Sequence, residues 1–148
     1  MKRTLALAAA ACTLAVTATA SGAVAQGLYD GHLDEAPDSS VTLKFNLVQN
    51  PDSTDYYVRA FAVHDLAVEC DDGVVATLDH AKLKGHVPIR SGSNFRVTDD
   101  NRQTVYKVSG HIGQNKAFGK FRLTGKIEGT DGVVRECDSG SLGWVARP

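Results

Sequence analysis

The 148-residue chain lacks an apolar run long enough to cross a membrane. Its longest run, residues 5–16, has about 12 residues, whereas a membrane-spanning helix needs about 20. No second apolar run follows it downstream. We therefore expect no membrane span in the processed protein.

The short run fits a secretory signal peptide instead. Lys2 and Arg3 precede it, and small residues follow it up to Ala25. A positive start, a short apolar centre and small residues at the cleavage site are typical of such a peptide. We predict a signal peptide over residues 1–25, with cleavage after Ala20 as the alternative, and a protein that is extracellular or associated with the cell envelope.

The chain also lacks a strong charge imbalance. Loss of Lys2 and Arg3 with the signal peptide lowers the 16 basic residues to 14, against 17 acidic ones, so the net charge becomes −3. A weakly acidic domain is not built mainly to hold nucleic acid or an anionic membrane. We predict one domain over residues 26–148 with no nucleic-acid partner.

Cysteine is scarce, and its number is informative. Cys12 belongs to the predicted signal peptide, which leaves Cys70 and Cys137 in the exported domain. An even pair in an exported chain normally forms a bridge. We predict a Cys70–Cys137 disulfide, with Cα atoms within about 7 Å of each other.

Helical periodicity is nearly absent, and alternation of apolar and polar residues takes its place. In residues 41–47 and 117–128 every second residue is apolar, as a strand with one wet face requires. Residues 113–116 fit a hairpin turn between the predicted strands at residues 106–112 and 117–128. Predicted strands cover residues 28–32, 41–47, 57–70, 74–78, 86–89, 94–98, 106–112, 117–128, 133–137 and 142–146.

The alternation also predicts the core. In the predicted strand at residues 57–70, the apolar residues change from odd-numbered to even-numbered positions. We therefore expect a bulge near His64 and Asp65. Gly119 and Gly125 share the buried parity of their strand, where a missing side chain leaves space for a large neighbour such as Trp144 or marks a close approach of the facing sheet. Twelve residues on the apolar parity of their strands are predicted to face inward: Leu43, Phe45, Leu47, Phe61, Val63, Val108, Ile112, Phe121, Leu123, Ile127, Leu142 and Trp144.

Short antiparallel strands joined by tight turns indicate an all-β fold. We predict an antiparallel β-sandwich, with a small closed β-barrel as the alternative. The acidic connector at residues 33–40 and the polar loop at residues 50–55 are too short to divide the chain into two domains.

The turns and ends of the predicted domain carry a pattern that resembles a known family. A Gly-Leu-Tyr-Asp-Gly opening at 27–31 is followed by Cys-Asp-Asp-Gly at 70–73 and by Gly-Lys-Phe at 119–121. Cys-Asp-Ser-Gly then stands at 137–140, with Trp144 four residues on. On these residues the chain resembles small secreted bacterial β-sandwich domains with one disulfide. The resemblance implies a fold and a bridge, and it transfers no catalytic residue because no activity is established for the family.

Motifs of enzymes and metal sites are missing. The chain has neither the G-x-S-x-G of a nucleophile elbow nor the H-E-x-x-H of a zinc protease, and no EF-hand loop. The five histidines are scattered, and His80 and His86 are the pair nearest to ligand spacing. We predict no catalytic residue, no metal site and no cofactor.

Binding has better candidates. Tyr56, Tyr57 and Phe118 offer an exposed aromatic platform for a sugar or a protein, and packing against neighbouring loops is the ordinary alternative. A row of basic residues could meet a cell-wall polyanion, but a solvated sheet face is the preferred explanation of it. That row consists of Lys107, Lys120, Arg122 and Lys126.

Together these features favour a non-enzymatic secreted module. Its expected partner is a cell-envelope glycan, another envelope polymer or a protein. The alternatives are a hydrolase or an enzyme inhibitor whose site converges only in three dimensions, and a passive envelope protein.

Overall fold

A computed structural model describes residues 24–34, 41–90 and 92–148. Residues 1–23, with Cys12 and most of the predicted signal peptide, lie outside the described residues, as does most of the acidic connector. Within the described part, no helix is long and apolar enough to traverse a membrane.

The described chain is all-β, as predicted. Every strand expected from the alternation is present, with ends that differ by a few residues. The ten strands are β1 (Gly27–Leu33), β2 (Thr42–Gln49), β3 (Tyr56–Cys70), β4 (Val75–Lys82), β5 (His86–Pro88), β6 (Asn94–Asp100), β7 (Thr104–Ile112), β8 (Ala117–Glu128), β9 (Val134–Asp138) and β10 (Leu142–Arg147).

Six of the strands close into a ring in the order β10, β1, β2, β3, β9 and β8, with β8 pairing back to β10. The closed barrel considered from the sequence describes this ring. Four further strands lie outside it: β7 and β6 continue from the free edge of β8, and β4 and β5 pair with the free edge of β3. All pairings are antiparallel.

The Cys70–Cys137 disulfide is confirmed, and it lies where the ring is joined most narrowly. The pairing of β3 with β9 consists of only two residue pairs, Glu69 with Asp138 and Cys70 with Cys137. The Cα atoms of the two cysteines are 3.9 Å apart. A covalent bond therefore reinforces the seam that has the fewest backbone hydrogen bonds.

The core is organised around Trp144. Its ring meets the rings of Phe45 and Phe61 edge-on, with centroids 5.9 and 5.8 Å away. All twelve residues predicted to face inward are buried. A Cβ atom on Gly110 would lie 2.5 Å from Trp144 Cζ2 and 2.6 Å from Phe95 Cε1, so the two rings fill the space that its missing side chain leaves. One on Gly119 would lie 2.7 Å from Trp144 Cζ2 and 2.0 Å from the carbonyl oxygen of Ser109, so this glycine admits both the indole and the backbone of β7.

Gly125 has a different role from Gly119. Its φ of 138° lies in the region that glycine tolerates and other residues avoid. A Cβ atom there would lie 2.1 Å from the carbonyl oxygen of Gln103, which accepts a hydrogen bond from the amide of Lys126. Gly125 therefore permits a close backbone approach at the end of the β7–β8 pairing rather than space for the tryptophan.

Strand β3 contains two irregularities. The predicted change of parity near His64 and Asp65 is present: Val63 and Leu66 are both buried, and Asp65 has a φ of 57°. A second one, which the alternation did not predict, occurs at Ala60, where φ is 52° and the register with β2 shifts.

Candidate binding site

Basic side chains are concentrated on the outer face of β6, β7 and β8. The register places Arg96 and Lys120 in one cross-strand row, on either side of Ser109, and Lys107 beside Arg122 in the next row. Neighbouring strands are about 4.8 Å apart and these rows about 7 Å apart. Four cations thus occupy one small area, called here the basic face: Arg96, Lys107, Lys120 and Arg122.

Three of these cations are unpaired. Among the described residues, no carboxylate lies within ion-pair distance of Arg96, Lys107 or Lys120. Arg122 differs, because its Nε donates to Oδ1 of Asp138 over 3.0 Å and its Nη2 contacts the second carboxylate oxygen. This hydrogen bonding raises the pKa of Arg122 and lowers that of Asp138. The three free cations keep their capacity to bind an external anion.

An exposed aromatic ring borders the basic face. Phe118 of β8 is 44% exposed. The ring of His111 lies beside it with a centroid separation of 5.4 Å, and Lys116 Nζ lies 5.7 Å from the centroid of its ring. His111 is oriented in turn, since its Nδ1 donates to Oδ1 of Asn94 over 3.1 Å. The arrangement offers an apolar ring face within reach of cations.

Two cations of the basic face, Arg96 and Lys120, meet Phe118 in an open groove of about 730 Å³. Phe118 and Lys120 line one side of it, and Arg90 and Arg96 line the other. Gly110 and Gly119 contribute to its floor, with Trp144 directly beneath them. The groove therefore combines cations, one aromatic ring and a floor of bare backbone.

Three of the four residues of the predicted basic row lie close together in the structure. The structure brings Lys107, Lys120 and Arg122 together, but Lys126 lies beyond Gly125 and pairs with Glu136 at 3.8 Å. Arg96 joins the other three, and sequence reasoning missed it. The signal was available, because alternation over residues 94–98 places Arg96 on the wet face.

The predicted aromatic candidates do not lie together. Phe118 borders the groove on β8, whereas Tyr57 lies against His86 of β5, with ring centroids 6.3 Å apart. Tyr56 is partly buried against the core. Only Phe118 stands beside the basic face.

A second groove, of about 790 Å³, overlies the disulfide. Its lining includes Glu69, Asp71, Glu136 and Asp138. Two of these acids already have partners, Asp138 with Arg122 and Glu136 with Lys126. We therefore consider the basic face the stronger binding site.

His80 and His86, the pair whose spacing in the sequence came nearest to that of metal ligands, pair with different residues of β3. His80 lies opposite His64 of β3 rather than near His86. In the described part of the chain, no group of three or more histidine, cysteine or carboxylate side chains is placed to hold a metal ion.

Comparisons with known proteins leave the function to be argued from this geometry. No protein-family model, no curated protein and no solved structure matches the chain.

Proposed function

We propose that the protein is a secreted, non-enzymatic binding module that holds an anionic cell-envelope glycan on its basic face. The observation that carries this proposal is the set of four cations on three adjacent strands, three of them without an acidic partner among the described residues. Phe118 supplies an exposed ring against which the apolar face of a sugar packs.

The net negative charge of the domain does not oppose this binding. At physiological ionic strength the interaction between exposed charges is screened over about 8 Å. A polymer lying on the basic face therefore responds to Arg96, Lys107 and Lys120 more than to carboxylates elsewhere. Each exposed charge contributes little alone, and a repeating anion that contacts several of them together gains by multivalency.

Export supports an envelope partner. The disulfide suits an oxidising compartment, and the sequence predicts a signal peptide. In that setting the accessible polyanions include carboxylate-bearing and phosphate-bearing glycans. Both present the same chemistry to a lysine or arginine.

Charge neutralisation tests the proposal. We expect the triple variant Arg96→Gln, Lys107→Gln, Lys120→Gln to bind polygalacturonate or teichoic acid about tenfold more weakly, which corresponds to about 0.5 kcal/mol for each charge. Isothermal titration at low salt measures the affinity. The two polymers distinguish carboxylate from phosphate recognition, and neutral dextran serves as the uncharged control.

A matched variant removes the same charge elsewhere. Arg59, Lys82 and Lys84 line a shallow depression beside β5, and their replacement by glutamine should leave the affinity within about twofold. Phe118→Ala should weaken binding without changing its dependence on salt, because it removes packing and not charge. Equal losses in the two triple variants would contradict the assignment to the basic face.

A further inference from the structure

Two histidines face each other across the β3–β4 hairpin. His64 of β3 pairs directly with His80 of β4. Their Nδ1 atoms are 3.3 Å apart, and the ring centroids are 4.6 Å apart at an angle of 64°. His64 is half-buried and His80 is exposed, so both rings are accessible from outside the sheet.

The separation of the two nitrogens matches a metal coordination sphere. Zinc binds imidazole nitrogen at about 2.0–2.1 Å in tetrahedral geometry, which places two ligand nitrogens about 3.3–3.4 Å apart. An ion bound to the two Nδ1 atoms would therefore need no large change in the separation of these nitrogens. Ligands fixed in advance in this way lose little entropy on binding.

The surrounding backbone holds this geometry. Val63 pairs with Ala81 directly beside the histidine pair, and Leu66 pairs with Leu78 on the other side, beyond the irregularity at Asp65. All four of these neighbours are buried or nearly buried. The histidine backbones are thus fixed by packed strands and not by a loop.

The charged residues nearest to the histidines in their strands are two acids and one base, since Lys82 lies two residues beyond His80 in β4. Asp65 and Asp79 follow and precede the two histidines in their strands, and both are exposed. Their carboxylates are not arranged with the rings as a third ligand. An ion held here keeps two open coordination positions, for water or an external oxygen donor.

We propose that His64 and His80 bind a divalent transition metal of the zinc type through their Nδ1 atoms. Without metal, one Nδ1 carries a proton and donates it in a hydrogen bond to the other. Metal binding moves that proton to Nε2 of the same ring, so both Nδ1 lone pairs face the ion. With both rings neutral at the start, no net proton is released. This site is separate from the basic face, and neither proposal depends on the other.

Titration of the purified full chain with zinc chloride, in the absence of a histidine tag, tests the site. We expect one ion per chain, and at least tenfold weaker binding in His64→Ala and in His80→Ala, since either change removes half of the protein ligands. His111→Ala is the matched control, because His111 hydrogen-bonds Asn94 on another part of the surface. Its zinc affinity should stay within about twofold.

Cobalt provides a second measurement. Bound Co²⁺ should give visible absorption typical of nitrogen ligation, which disappears in His64→Gln and His80→Gln. These variants keep a polar side chain, and circular dichroism of each verifies the fold. Unchanged zinc affinity in folded His64 and His80 variants would overturn the proposal, as would the absence of saturable binding to the unmodified chain. In that case the two rings form only a hydrogen-bonded pair.

Discussion

Successive residues of β8 lie in opposite environments. Phe121 is 1% exposed and packs near Tyr106, whereas Lys120 is exposed on the basic face. Truncation of a buried aromatic residue costs about 3–5 kcal/mol because it removes apolar contacts and leaves a cavity. Truncation of an exposed lysine stays within about 0.5 kcal/mol. We therefore expect Phe121→Ala to lower the free energy of unfolding strongly and Lys120→Ala to leave it nearly unchanged.

Urea unfolding of the two variants measures this difference. If both variants lost the same free energy of unfolding, the assignment of Phe121 to the buried face of β8 and of Lys120 to the exposed face would be wrong. The m-value, which is the slope of unfolding free energy against urea concentration, should be nearly the same for both variants and the unmodified chain. Neither substitution changes much the surface that unfolding exposes.

At the scale of single residues the sequence was a good guide. Strict alternation identified all twelve predicted core positions, since a period of two leaves no ambiguity about which parity faces inward. The space at Gly119 for Trp144 was also predicted correctly. At Gly125 the alternative, a close approach, is present, but the approaching backbone is that of Gln103, just before β7 begins, and not that of a facing sheet.

At the scale of elements, Arg135 of β9 joins two hairpin ends. Its Nε donates to Oδ2 of Asp72 over 2.6 Å, and its Nη1 donates to Oδ1 of Asp131 over 2.9 Å. The side chain of Arg135 is only 12% exposed. Hydrogen bonds from Arg135 hold the pKa of Asp131 and that of Asp72 below their ordinary value of 3.8.

This network predicts a dependence of stability on pH. Because both carboxyl pKa values are lowered in the folded protein, their stabilisation is complete above pH of about 4 and is lost as the pH falls through the folded values. We expect the unmodified chain to lose more free energy of unfolding than Arg135→Ala between pH of about 6 and about 3. Urea unfolding at the two values provides the measurement.

Arg59→Ala is the control for the network. Arg59 is an exposed residue of β3 with no ion pair among the described residues. Its variant should lose as much stability on acidification as the unmodified chain does. An equal loss in Arg135→Ala would mean that other carboxylates, such as Asp138, cause the acid sensitivity.

Hairpins could be predicted from the sequence where the turn was evident. The β7–β8 hairpin was predicted, and its turn is closed by the amide of Gly113 donating to the carbonyl of Lys116 over 2.8 Å. The contact between His64 and His80 was missed although a signal existed. The turn at residues 71–73 between β3 and β4 is centred on Asp72, and the two histidines are equally far from it along the chain.

At the scale of the whole molecule, the disulfide lies at the narrowest joint of the closed ring. Only two residue pairs join β3 to β9, whereas nine join β7 to β8. The bridge encloses a separation of 67 residues, for which loop closure contributes about 4 kcal/mol. We expect reduction to increase hydrogen exchange most at the backbone amides of Glu69, Asp71 and Asp138, since the Asp71 amide donates to the carbonyl of Glu136 across this seam.

Hydrogen exchange with and without reductant, followed by mass spectrometry, tests this expectation. The β7–β8 hairpin is the internal control and should keep most of its protection, because its pairing does not depend on the bridge. A uniform loss of protection over all strands would show that the bridge stabilises the whole fold and not the seam in particular.

Closure of the ring was the feature of the fold that was hardest to predict from the sequence. The alternation determines which side of a strand is buried, but it does not show which strands pair at the edges. β10 pairs with β1 on one side and with β8 on the other, and β1 lies more than 100 residues away in the chain. A sandwich and a barrel therefore show the same pattern of short alternating strands.

Trp144, which lies beneath Gly110 and Gly119, can serve as an intrinsic fluorescence probe of the groove. Trp144 is the only tryptophan of the chain, and it is 1% exposed, so soluble quenchers should not reach it. Gly110, Gly119 and Phe95, which line the groove beside the basic face, lie next to its ring. Its emission should therefore respond when an occupant presses on the floor of this groove, which makes unlabelled chain sufficient for measuring occupancy by fluorescence.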